Sequence, residues 1–166
     1  MILVLDGIDG AGKGVQVAAL AERLAPRFRT VEAMHFPMYD SPTGRVIKKM
    51  LSGARRLAAF EDLVNPTDLG VDEALALQSI MLLNRLEFLG KLRNYASDAV
   101  CTIRVTSPSP IGPMSLSVYG DAGDLLILDR YTPSALAYGA ADGLPLELLE
   151  RVHECLPRPD VAVLLD

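Results

Sequence analysis

Four short apolar runs punctuate the chain, at Ile2–Asp6, Thr30–His35, Leu125–Asp129 and Val161–Asp166. LLILD and VAVLLD are apolar on consecutive rather than alternate positions, the pattern of strands buried on both faces of a parallel sheet. The stretches between them predict helices over Lys13–Leu24, Gly44–Leu51, Asp72–Tyr95, Pro133–Gly139 and Pro145–Cys155, with Pro26, Pro42 and Pro157 at their edges. Strand–helix alternation implies an α/β fold, a doubly wound sheet with helices on both faces. Ligands of such sheets bind beyond the carboxyl ends of the strands, where Gly7–Gly14, Phe36–Tyr39 and Asp129–Tyr131 lie.

One segment breaks the rhythm. Val100–Tyr119 alternates polar and apolar residues around a Ser/Pro/Gly centre, which suits a β-hairpin with a long tip or a flexible excursion. Without it, the helix ending near Tyr95 joins the strand at Leu125 by a loop of ordinary length. We therefore expect one domain over residues 1–166, with 100–119 as an insertion.

The first strand runs directly into Gly7-Ile-Asp-Gly-Ala-Gly12-Lys13-Gly14. This spacing fits the phosphate loop G-x-x-x-x-G-K, in which successive backbone N–H groups curl around phosphates and Lys supplies a point charge. Val15 opens a stretch of helix-forming residues, whose positive end faces the same anion. The motif ordinarily continues with Ser or Thr, a hydroxyl ligand for Mg²⁺; Gly14 and Val15 offer none.

Composition narrows the partners. The chain has 166 residues, 50% hydrophobic and 22% charged, with net charge −5. That balance is globular and argues against a nucleic-acid groove, which needs a basic face. Cys101 and Cys155 lack metal-type spacing and read as reduced thiols. No run approaches membrane-span length, and a strand at residue 1 leaves no room for a leader. The expected location is cytoplasmic.

Further motifs follow in order: His35-Phe36-Pro37-Met38-Tyr39, then Ser41-Pro-Thr-Gly44-Arg45, then Asn84-Arg85 within the long helix. Asp129-Arg130-Tyr131 ends a strand, with Ser134 and Tyr138 beyond it, and LPRPD precedes the last strand. Together, FPxY, NR, DRYxxSxxAY and LPRPD after a phosphate loop resemble thymidylate kinases. These are P-loop enzymes that move the γ-phosphoryl of ATP onto dTMP. The resemblance runs from residue 1 to Asp166, interrupted by 100–119, and implies a P-loop NTPase-type αβα sandwich ending after its fourth strand.

The resemblance also implies roles. Gly7, Asp9, Gly10, Ala11, Gly12, Lys13, Gly14 and Val15 would line the ATP phosphates. Lys13 would hold the β- and γ-phosphates. Arg85 and Arg130 would clamp the acceptor phosphate and the transferring group, since a planar guanidinium grips phosphate oxygens in pairs. Asp9 would accept from the sugar 3′-hydroxyl or approach the metal. Asp129 would bind Mg²⁺ directly or through water; its alternative is a cap on the following helix. Phe36 would lie along the base and Tyr138 beneath the deoxyribose, unless both are core aromatics. Pro37, Tyr39 and Ser134 complete the dTMP pocket. Met81 takes the place of an aromatic that stacks on thymine in the family, which leaves another pyrimidine in play. His35 and His153 read as structural.

The long helix carries Leu75, Leu82, Leu83, Leu86 and Leu89, more apolar surface than one side needs. By resemblance the 72–95 helix pairs two subunits as a homodimer. The family continues past the last strand with an Arg-rich lid over ATP. Absence of that lid and Gly14 leave open a catalytically impaired nucleotide-binding relative. A third alternative is another P-loop nucleoside or nucleotide kinase.

Overall fold

The computed structural model describes residues 1–52, 69–96, 102–106, 115–119 and 123–165. In chain order the elements are β1 (Ile2–Gly7), α1 (Lys13–Leu24), a 3₁₀ turn (Ala25–Arg27), β2 (Thr30–His35), α2 (Pro42–Leu51), α3 (Leu69–Leu86) and α4 (Leu89–Tyr95). Then come β3 (Thr102–Thr106), β4 (Ser115–Tyr119), β5 (Asp124–Asp129), α5 (Thr132–Ala141), α6 (Leu146–His153) and β6 (Val161–Leu165). They divide into two compact units. Met1–Met34, Lys91–Asp129 and Arg158–Asp166 form one, and His35–Gly90 with Arg130–Pro157 form the other.

The first unit holds a four-stranded sheet of order β2-β5-β1-β6. β5 and β6 both run parallel to β1, with Ile2 opposite Leu126, Leu5 opposite Asp129 and Gly7 opposite Leu165. All four apolar runs are therefore strands, and the P-loop kinase α/β fold is the one the sequence implies. Leu3, Leu5, Leu125 and Ile127 share one face and pack with Val17 and Leu24 of α1 and with Phe28. Ile2, Val4, Leu126 and Leu128 alternate with them and are equally buried, which is why these runs are apolar at every position. Polar ties fix the strand starts. Asp160 Oδ2 accepts the Ile2 N–H at 2.6 Å, and Asp124 is ion-paired to Arg29 and accepts from Thr30 Oγ1 at 2.6 Å. Glu32 pairs with Lys91 and accepts from Tyr95 Oη at 2.7 Å. The Lys91 and Tyr95 hydrogen bonds hold its carboxyl below the usual range against a smaller opposing effect of burial.

β3 and β4 pair antiparallel, Thr102 opposite Tyr119 and Thr106 opposite Ser115. A hairpin is thus the form the alternating segment takes. Its tip, with Cys101, lies outside the described residues, as does Asp166.

The second unit is helical. α2 begins at Pro42, two residues before the sequence-based start, because Ser41 caps it: its Oγ accepts the Gly44 N–H at 3.1 Å. Pro at N1 loses nothing, since that N–H has no helical partner. The expected single helix over 72–95 is instead two, α3 and α4. The break falls at Glu87–Phe88, where the Phe88 N–H turns back to the Arg85 carbonyl at 3.1 Å. Glu87 Oε1 accepts the Thr43 N–H at 3.0 Å, and the Phe88 ring meets Phe36 edge-on at 6.1 Å. These tertiary contacts override a helix-forming composition. Gly139 lets α5 approach α6, since a Cβ there would lie 2.8 Å from Leu149. Ala74, Leu144 and Leu149 form the small core. No described helix is long and apolar enough to cross a membrane.

Candidate functional site

In the first unit the loop after β1 turns through three left-handed glycines, with φ of 143° at Gly7, 87° at Gly10 and 75° at Gly12. A side chain at Gly7 is excluded twice, because its Cβ would lie 2.0 Å from the Leu165 carbonyl oxygen. The Ala11 N–H closes a loose turn onto Ile8 O at 3.4 Å, and Gly12 is the N-cap of α1. Lys13 is 7% exposed. Its Nζ donates to Gly7 O at 3.0 Å and Ile8 O at 2.6 Å, so the ammonium is held by the loop it serves. Asp9, Gly10, Gly12, Gly14 and Val15 are exposed, so solute reaches the loop from outside.

Asp129 ends β5 beside this loop. Its Oδ2 would lie 3.8 Å from a Cβ at Gly14, and its Oδ1 is buried with no hydrogen-bond partner among the described residues. The N-cap of α5 is Tyr131, which makes no side-chain cap, so the structure gives Asp129 no capping role there. A buried carboxylate oxygen without a donor suits a cation. Among the described residues no cluster of three or more acidic, His or Cys side chains could hold a metal alone. Mg²⁺ takes one or two carboxylates and draws its other ligands from phosphates and water. Buried Asp6, whose Oδ1 accepts the Gly7 N–H at 3.0 Å, shapes the loop's entry.

The second unit gathers the other predicted residues. Arg85 is 4% exposed. It donates from Nη1 to Met81 O and from Nη2 to Tyr131 O, each at 2.9 Å. Its guanidinium sits 5.8 Å from the Phe36 ring centre. Phe36 is 2% exposed, among Tyr131 and Phe88, so its ring is a packed platform beneath Arg85. The Phe36–Pro37 peptide bond is cis. Tyr39 is half-buried, tilted against His35 at 6.3 Å. Arg130 has φ 65°, the left-handed region, and lies over Tyr138, with 5.8 Å from its Cζ to the ring centre. Ser134 is buried, whereas Tyr138 is 46% exposed and so is no core aromatic.

Three motif residues prove to be braces. Asn84 is fully buried. Its Oδ1 accepts the Met38 N–H at 2.8 Å, and its Nδ2 donates to Ser41 Oγ at 2.8 Å and Thr43 Oγ1 at 2.9 Å. It locks the FPxY loop to the start of α2, a role that the NR motif does not reveal in the sequence. Gly44 permits the same approach, since a Cβ there would lie 1.7 Å from Met38 O. Tyr131 is fully buried and its hydroxyl donates to Pro157 O at 3.1 Å; burial raises its pKa. His153 is buried, its Nδ1 2.7 Å from Leu149 O, in keeping with a structural histidine.

Residues 5–63 match the thymidylate kinase family profile. The whole chain aligns at 33% identity with a protein named "Probable thymidylate kinase" from Thermococcus kodakarensis, covering 66% of it. It aligns equally well with the thymidylate kinase of Xanthomonas euvesicatoria pv. vesicatoria, at 33% identity and 56% of that protein. The chain thus spans less than two thirds of the length of these relatives. Its fold resembles that of thymidylate kinase from Ehrlichia chaffeensis, with TM-score 0.64 and 20% identity over 100% of this chain and 75% of that one. For the Candida albicans enzyme the values are 0.59 and 19%, over 99% and 62%. Over its whole length the chain is thus similar to thymidylate kinases, in sequence and in fold.

Proposed function

We propose that this chain carries out ATP-dependent phosphorylation of dTMP to dTDP, in the cytoplasm and as a homodimer. The observation that carries the reading is the left-handed glycine loop closed around Lys13, a polyphosphate cradle. In this reading the loop N–H groups and Lys13 hold the ATP β- and γ-phosphates. Arg85, fixed over Phe36, grips the dTMP phosphate, and Arg130 follows the transferring group. A dTMP phosphate oxygen attacks the γ-phosphorus, the bond to the β–γ bridging oxygen breaks, and ADP leaves. The protein's part is positioning and charge stabilisation. Asp129, with Asp9, would hold Mg²⁺, which when bound neutralises charge on the β- and γ-oxygens. Pro37, Tyr39, Met81, Ser134 and Tyr138 border the nucleoside. Exposed Leu75 and Leu83 on α3 supply the dimer face.

A coupled assay of ADP formation with dTMP, dUMP, dCMP and AMP tests this. We expect dTMP to be preferred. Equal rates for all four, or no rate above background, end the dTMP claim. Gly14 favours a second reading, a catalytically silent nucleotide-binding module, because it removes the hydroxyl ligand next to Asp129. That reading predicts nucleotide affinity by calorimetry without turnover.

A further inference from the structure

The two candidate phosphate arginines rest over aromatic rings at the same separation, in opposite settings. Arg85 and Phe36 are both buried, 5.8 Å from Cζ to ring centre. Arg130 has the same 5.8 Å to Tyr138, a ring 46% exposed, and its Nη1 donates to Tyr138 Oη at 3.4 Å. The backbone adds an independent observation. Arg130 is the only non-glycine residue with positive φ among the described residues, a conformation that bulky L-residues seldom adopt and that clusters at functional sites. The strained turn launches the side chain from the end of β5, and Tyr138, near the last turn of α5, receives it.

We propose that Tyr138 is the positioning residue for Arg130. Its ring and hydroxyl hold the guanidinium plane in the orientation that takes a phosphate, so that Arg130 has fewer rotamers to lose on binding. This rests on the reading of Arg130 as a phosphate ligand. It gives Tyr138 a task separate from packing beneath the sugar. It also divides the labour: Arg85 is fixed by burial, and Arg130 by a contact open to solvent.

Two measurements on the full chain test the proposal. The first is the rate at which phenylglyoxal modifies Arg130, read by peptide mass spectrometry. Tyr138→Leu should raise it about two- to five-fold, the range an exposed cation–π contact supplies. Tyr138→Phe, which keeps the ring, should give an intermediate rate, and Arg85 should be unaffected. The second is dTMP affinity by calorimetry. Tyr138→Leu should weaken it about two- to five-fold more in the parent chain than in an Arg130→Ala background. An unchanged modification rate overturns the proposal. So does a loss of affinity that is equally large without Arg130, since the ring would then act on the sugar alone. If the parent chain binds no dTMP at all, the acceptor-site reading fails, and the positioning role falls with it. A chain that binds dTMP but shows additive effects sinks the positioning role only.

Discussion

Lys13 and Arg85 make different demands, and single substitutions separate them. Lys13→Ala removes the ammonium that the loop carbonyls hold; kcat should fall about 10²–10³-fold, as when a preorganised donor is lost, and ATP should bind more weakly. Arg85→Ala should raise KM for dTMP at least about tenfold with little change in KM for ATP. Steady-state kinetics with each nucleotide varied in turn decide both. An Arg85→Ala chain with unchanged dTMP kinetics would falsify the clamp assignment. Asn84→Ala belongs with stability: it leaves the Met38 N–H without its acceptor and takes one donor from each of two hydroxyls, and should cost about 1–3 kcal/mol in urea denaturation. The loop glycines and Lys13 were legible because their geometry is local. Asn84 was not, because its partners lie 41 to 46 positions away in sequence.

Among the elements, the strands were legible and one helix boundary was not, for a single reason. A strand buried on both faces must be apolar throughout, so LLILD announces itself. Nothing local marks the break at Glu87–Phe88; it depends on Thr43, 44 positions away, and on Phe36. The β1–β6 contact at Gly7 is similarly long-range. Gly7→Ala places a methyl against the Leu165 carbonyl at positive φ and should cost at least about 1–3 kcal/mol, seen as a lower Tm. α6 supplies a pH test. Burial depresses the pKa of His153 below 6.5, assisted by the charge of Arg85 and opposed by the Leu149 carbonyl. Folding therefore keeps the ring neutral. Its contribution is complete above the unfolded pKa and is lost as pH falls through the folded one. Urea-unfolding stability should decline from about pH 6.5 downward, and His153→Leu should flatten that part of the profile.

For the whole molecule, the proposed dimer would make α3 join chemistry to assembly. Asn84 and Arg85 are buried within its own unit, yet Leu75 and Leu83 on the same helix stay 43% and 49% exposed. Leu82 and Leu86 are only partly covered. A helix this apolar is unusual on a free surface, and a two-fold contact buries each leucine twice. At about 1.5–3 kcal/mol for a leucine taken from full exposure to full burial, the half-exposed Leu75 and Leu83 would each gain up to about half of that in such a contact. Leu83→Glu would place like charges together across the proposed axis and should convert the proposed dimer to monomer in sedimentation velocity runs. Since Leu83 adjoins Asn84-Arg85, the monomer should also bind dTMP several-fold more weakly while ATP affinity stays near its original value. A parent chain that sediments as a monomer at tens of micromolar would remove the dimer and leave the leucines of α3 in need of another cover.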